Sequence, residues 1–287
     1  MEILAVLKWF AVTLAYTISA HVVLFREEPE GIGNWCGTVA TPEWLAEDYK
    51  RVDVEERIVP RQSSITVDTY FHVVANSTRV RDGYLTDQML SRQLDTLNAD
   101  YAASYISFNL RGITRTVNRT WALSTRLQDQ VEMKKSLRRG TYSTLNVYFR
   151  TNIGESDEGG TLLGQCTLPK PASEVPPGSN NFYRDGCMVL YDTVLVGGTT
   201  TTHEVGHWFG LLHTFEGGCT GPGDMVADTP AEASPSGGCN LLRNTCPDQP
   251  GYDPVENFMD YSPSSCRKTF TPGQSARMWG RWNTLRA

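Results

Sequence analysis

Residues 203–213 read His203-Glu204-Val205-Gly206-His207-Trp208-Phe209-Gly210-Leu211-Leu212-His213, and this stretch decides the fold. Three of the chain's five histidines lie in it. Residues four apart on a helix stand one above the other, so His203 and His207 can reach one ion. The third ligand must come from outside the helix. Gly210 can adopt a positive φ, end the helix and swing His213 back toward the same ion. Three protein ligands leave a fourth zinc position open, which marks a catalytic rather than a structural site. Glu204 supplies the acid that such chemistry needs. A metal lowers the pKa of its bound water toward ~7, and a nearby carboxylate takes the proton. A competing reading is a capping box between Thr201 and Glu204, which would turn the carboxylate toward the backbone.

Working outward, the spacing predicts a helix over 199–212. Met188-Val189-Leu190-Tyr191 reads as a strand before Gly197-Gly198. Further upstream, Ile65, Val67, Thr69, Phe71 and Val73 alternate as a half-buried strand. After Asp82-Gly83, the residues Leu85, Met89, Leu90, Leu94, Leu97 and Tyr101 share a helical face. Ile106, Phe108 and Leu110 read as a second strand. A helix over about 124–138 stops at Gly140, and Leu145, Val147 and Phe149 form a third strand. From 214 to 271 the chain is rich in Gly, Pro, Asp and Cys. Thr271 caps a last helix with Pro272 at its first position, running through Ala276, Trp279 and Trp282. The order predicts an α+β domain of two lobes, the second irregular and stapled.

The bulk numbers set the surroundings. The chain has 287 residues and a formal net charge of −6, which argues against a nucleic-acid partner. Residues 1–20 read as a signal peptide, with Lys8 before a short apolar run and Ser19-Ala20 for cleavage. No later run reaches the ~20 apolar residues of a membrane span. Residues 21–61 are acidic and aperiodic, and carry Arg51, Arg57 and Arg61 as processing points; they read as a pro-segment ahead of a catalytic domain at 62–287. Asn76-Ser77-Thr78 and Asn118-Arg119-Thr120 are glycosylation sequons. Seven cysteines imply three bridges and one left over, with the pairing open.

The motif resembles the metzincin metalloproteases, whose helix reads H-E-x-x-H-x-x-G-x-x-H. Asn257-Phe258-Met259-Asp260-Tyr261 is similar to their methionine turn. The resemblance implies that Met259 floors the metal and that Tyr261 assists the transition state. Within the clan the chain resembles the pappalysin family, in its secreted fungal and bacterial form. Met133 through Gly140, Leu145 through Phe149, Trp208-Phe209 and Asp228-Thr229-Pro230 carry that likeness. It implies a secreted zinc endopeptidase, made as a zymogen, acting on extracellular proteins or peptides; a monomer with no membrane partner is expected. It implies a twisted mixed sheet with the active-site helix in one lobe and substrate between the lobes. It implies the bridges Cys219–Cys246, Cys239–Cys266 and Cys166–Cys187. Cys36, in Trp35-Cys36-Gly37-Thr38, then resembles a cysteine switch whose thiolate fills the fourth zinc position. Asp224, Asp228, Thr229 and Glu232 are the oxygen-bearing candidates for calcium. Ser262-Pro263-Ser264-Ser265 would form one wall of the S1′ pocket. It carries no carboxylate, which predicts a neutral or apolar preference. Gly160-Thr161-Leu162-Leu163-Gly164 is the expected edge strand for an extended substrate.

Overall fold

The computed structural model describes residues 36–50, 64–156, 159–195 and 197–287. The expected signal peptide, most of the expected pro-segment and its basic processing points lie outside the described residues.

The first described element is a helix, α1 (Pro42–Tyr49), capped by Thr41 Oγ1 and opened by Pro42. Its sequence shows no apolar stripe, and Asp48 is its one buried residue. Strand β1 (Ile65–Ala75) begins with the predicted alternation. Its second half is buried on both faces, because it lies at the centre of a sheet. A short turn at Val80–Asp82 ends on Gly83, with φ 96°. Thr86 Oγ1 accepts from the Met89 amide and caps α2 (Asp87–Tyr101), so Leu85 precedes the helix. The buried face of α2 includes Leu90, Leu97 and Tyr101.

Strand β2 (Ile106–Val117) runs well beyond the predicted Leu110 and pairs in parallel with β1 along its whole length. A short helix, α3 (Arg119–Leu123), and then α4 (Leu127–Leu137) replace the single helix expected over 124–138. Asn118 Oδ1 caps α3. Strand β3 (Leu145–Arg150) is wholly buried beside β1. Then follow β4 (Gly164–Cys166), α5 (Asn180–Arg184), β5 (Cys187–Leu190) and α6 (Asp192–Leu195). The sheet order is β2-β1-β3-β5-β4, with only β4 antiparallel. The expected edge strand over 160–164 therefore starts later; Thr161 makes only an isolated bridge to Glu155.

Helix α7 (Thr200–Trp208) carries the metal motif and is buried at every residue. It stops four residues short of the predicted 212. It packs against β4, β5 and α2. Tyr101 Oη donates to Thr202 O at 2.9 Å, and Thr202 Oγ1 to Asp100 at 2.5 Å, which ties its first turn to the end of α2. Residues 214–271 contain no helix or strand, as expected. Cys219–Cys246 and Cys239–Cys266 close this lobe, and Cys166–Cys187 joins β4 to β5. The last helix, α8 (Pro272–Arg281), has a full capping box between Thr271 and Gln274.

Candidate active site

The bend after α7 is made by Gly210, whose φ is +91°. Its amide donates to His207 O at 2.8 Å, and the Leu211 amide donates back to Gly206 O at 3.0 Å. This pair of bonds is the Schellman arrangement that satisfies a helix's last carbonyls. It also turns His213 toward the helix. The Nε2 atom of His207 lies 3.1 Å from Nε2 of His203 and 3.1 Å from Nε2 of His213. Nitrogens on a tetrahedral zinc with bonds near 2.0–2.1 Å sit roughly 3.3 Å apart. The three imidazoles thus fit a single small cation.

Their outer nitrogens fix the tautomers. His203 Nδ1 donates to Phe258 O at 2.7 Å, and His207 Nδ1 donates to Leu211 O at 2.8 Å. Each leaves Nε2 free as a lone-pair donor, the usual second-sphere arrangement of metal histidines. Burial pushes His207 down to about 4 and His203 and His213 well below the ordinary histidine value. Neutral imidazole is the form that binds a metal.

Thr199 caps α7 without a side-chain bond, and the capping box of Thr201 with Glu204 does not form. Ser264 Oγ instead accepts from the Thr199 amide at 3.0 Å. Glu204 is buried; its Oε2 accepts from Thr38 Oγ1 at 3.2 Å, and Oε1 has no hydrogen-bond partner. Burial raises its pKa to about 8. Gly164 lies directly beside it: a Cβ there would collide with the Glu204 carboxylate.

The methionine turn supplies three contacts. Phe258 O takes the His203 bond, Met259 O accepts from the Thr214 amide at 3.3 Å, and Met259 Sδ packs on Gly206. Asn257 exchanges two amide bonds with Gln274, which joins this turn to the capping box of α8. Tyr261 is buried, with its ring 4.9 Å from that of His213. Its hydroxyl donates to Cys36 O at 3.4 Å.

Cys36 completes the cluster. Its Sγ and one nitrogen from each of His203, His207 and His213 lie within 4.8 Å of one another. Burial, and then the nearby Glu204 carboxylate, push this thiol up. The segment around it runs along the outer edge of β4. Gly37 N donates to Gly164 O at 2.8 Å, and Gln165 Nε2 to Gly37 O at 2.8 Å.

The four calcium candidates do not converge. Asp224, Asp228 and Thr229 line a cavity of about 500 Å³ in the second lobe. Asp224 Oδ2 and Thr229 Oγ1 are buried there without hydrogen-bond partners. Glu232 points elsewhere, bonded to Arg243 at 2.6 Å, to Ser236 and to Thr214. The sequons Asn76 and Asn118 are both half-buried. Sequence reasoning missed Gln274 and Arg243, and the contacts that Thr38 and Gly164 make with Glu204. Each acts through a long-range contact, and only the two glycines flanking the expected edge strand hinted at a close approach.

Comparison with known proteins agrees with this geometry. A family model described as Pregnancy-associated plasma protein-A matches residues 141–282. An extracellular metalloprotease of Colletotrichum graminicola is 53% identical over 232 residues, 78% of this chain and 79% of its own. Extracellular metalloprotease 1 of Coccidioides posadasii is 48% identical over 261 residues, 88% of this chain and 90% of its own. Mature mirolysin of Tannerella forsythia, in complex with a cleaved peptide, superposes with a TM-score of 0.62 at 26% identity, covering 78% of this chain and 96% of that one. A promirolysin mutant from the same organism shares the fold, with a TM-score of 0.68 at 24% identity over 87% of this chain and 94% of that one. The chain belongs to the pappalysin family of metzincin metalloproteases and is a hydrolase.

Proposed function

We propose that this chain is a secreted zinc endopeptidase, held latent by its own N-terminal segment. The observation that carries the reading is the convergence of His203 Nε2 and His213 Nε2 on His207 Nε2, each 3.1 Å from it, with Glu204 on the same helix beside them. The donor set fits zinc: neutral imidazoles, buried, with the outer nitrogens of His203 and His207 already committed. Held by His203, His207 and His213, zinc would supply the Lewis acidity that activates water and polarises a peptide carbonyl.

The remaining steps belong to the chain. Glu204 takes the proton of the attacking water and passes it to the leaving nitrogen. Its carboxylate is desolvated, which favours a proton shuttle over a fixed charge. Tyr261 lies beside His213 and donates toward the developing oxyanion once Cys36 O has gone. An extended peptide pairs with the edge of β4 by strand addition. In the Ser262–Ser265 wall the Ser262 hydroxyl is taken up by Val255 O and that of Ser264 by Thr199, and no carboxylate is present, so a neutral or apolar side chain suits S1′.

In the latent form Cys36 would join His203, His207 and His213 in holding the metal and keep the catalytic water out. The bonds of Gly37 and Gln165 to each other's strands occupy the edge that substrate needs. Cleavage beyond Lys50 releases both blocks. Calcium in the Asp224, Asp228 and Thr229 cavity would stiffen the second lobe, with Glu232 outside the ligand set. Extracellular relatives, the sequons and the leader all support export. Zinc content and casein cleavage of the wild type and of Glu204→Ala test the mechanism. Full zinc with no cleavage in the variant is expected, and equal cleavage in both removes the proposed base. Early activity from Cys36→Ala is the matching result for latency, and a fully latent variant counts against the switch.

A further inference from the structure

Helix α1 buries none of its apolar side chains fully; the residue it buries is Asp48, 3% exposed. Tyr49 beside it is 65% exposed. Asp48 forms ion pairs with both Arg277 and Arg281, which stand four residues apart on one face of α8. Arg281 Nη2 also donates to Asp48 O at 3.4 Å. Arg277 Nε donates to Gly210 O at 2.9 Å, at the glycine turn of the zinc motif. A further polar tether of α1 is Trp44 Nε1 to Pro169 O at 2.9 Å. Between α1 and the body lies a cavity of about 520 Å³, lined by Thr41, Trp44 and Asp48 on one side and by Lys134 and Leu168 on the other. The helix is therefore held at points rather than by a packed face.

We propose that Arg277 and Arg281 form a carboxylate-binding site on the catalytic domain, filled by Asp48, and that it anchors the N-terminal segment independently of Cys36. This rests on the reading of that segment as a pro-segment. Arg51, Arg57 and Arg61 stand between α1 and β1. A cut there leaves the segment held by its contacts alone. Two anchors on one short segment raise each other's effective concentration, so release requires both to open. A buried acid with two buried guanidinium partners suits the task, because loss of the acid leaves charge stranded in the interior.

Amide hydrogen exchange across residues 42–50 of the full chain tests the site. The Glu204→Ala background prevents self-cleavage, and each sample is measured with zinc and after chelation. Asp48→Asn is expected to raise exchange across α1 at least tenfold in both conditions, with β1 and α8 unchanged. Asp48→Glu should keep most of the protection. Cys36→Ala should leave α1 protected in the chelated protein, where the thiol has no metal to bind. Equal exchange in Asp48→Asn and its parent would overturn the proposal, as would loss of α1 protection on Cys36→Ala alone. A loss of protection spreading through β1 in Asp48→Asn would also overturn it, by making Asp48 part of the domain's own core. The exchange readout does not depend on activity, so it stands apart from the casein test of latency.

Discussion

Met259 Sδ occupies the space that a side chain on Gly206 would need. Gly206 is the residue just before the second metal histidine, and Met259 is fully buried beneath it. The contact sets the height of the methionine turn, and with it Phe258 O, which holds His203 Nδ1. Alanine is favoured over glycine in a helix by about 1 kcal/mol, so Gly206→Ala would stabilise α7 on propensity alone. The collision should outweigh that gain. Overpacking costs about 1–3 kcal/mol, and we expect a net loss of stability together with weaker zinc retention. Thermal melts and a zinc-competition titration check this. Met259→Ala opens the space again, so the double variant should recover part of the loss, as a coupling energy in a double-mutant cycle.

Removal of the metal should act on the fold as well as on activity. Three buried imidazoles, two of them held by their outer nitrogens, form a preorganised set, and the unfolded chain has none. Metal at about a thousand times its Kd adds about 4 kcal/mol to unfolding. Calorimetry with and without a chelator should show a large fall in Tm for the wild type. Glu204→Ala should show the same fall, because the Glu204 carboxylate is not one of the assigned metal ligands. His207→Ala should show little, having lost the central ligand. A His207→Ala protein whose Tm still drops by the wild-type amount on chelation would refute the assigned ligand set.

The elements that touch the site were legible in the sequence where a local rule governs them. The alternation of Ile65, Val67 and Phe71 gave β1, the stripe through Leu90, Leu97 and Tyr101 gave α2, and Thr271-Pro272 gave the start of α8. The convergence of the three histidines was legible because the motif's geometry is local, set by one helical turn and one glycine. Helix α1 was invisible because its docking rests on Asp48, an acid in an acidic stretch, and no apolar period marks it. Glu232 read as a hard-cation ligand from composition, yet its partner is Arg243, eleven residues on. Sequence proximity to Asp224 and Asp228 carried no information about which way the carboxylate turns.

Arg243 is the hub of the second lobe. It bonds Glu232 at 2.6 Å and Asp253 at 2.5 Å, and donates to Ser234 and Pro235 O. Both carboxylates are buried, and Glu232 in turn holds Thr214, next to the third histidine. Arg243→Met would strand two acids in the interior. Breaking a buried pair by removing one partner costs about 3–5 kcal/mol, so the denaturant midpoint should fall steeply. Glu232→Gln with Asp253→Asn in the same chain should restore much of the loss, since the two acids bonded to Arg243 are then neutral. A single Arg243→Met variant as stable as the wild type would show that the hub is ornamental to the fold.

His72 gives the acid side of the stability curve. It lies at the centre of the sheet, fully buried and stacked on Tyr148 with ring centroids 4.8 Å apart. Asn146 Nδ2 donates to Arg139 O and Thr144 O, so Asn146 Oδ1 accepts from His72 Nε2 at 2.9 Å. His72 Nδ1 then accepts from Thr114 Oγ1 at 2.8 Å. The neutral ring satisfies every partner, and burial pushes its pKa from 6.5 down to about 4. The folded value is depressed, so the stabilisation is complete above 6.5 and is lost as pH falls toward 4, where the unfolded chain takes the proton first. At about 1.4 kcal/mol per unit, the loss amounts to a few kcal/mol. His72→Gln keeps both hydrogen-bonding roles and cannot ionise. Urea unfolding of the chelated protein between pH 7 and 4 should show a shallower decline for the variant than for the wild type. Parallel curves would mean that acid unfolding begins elsewhere, at the three histidines of the metal site.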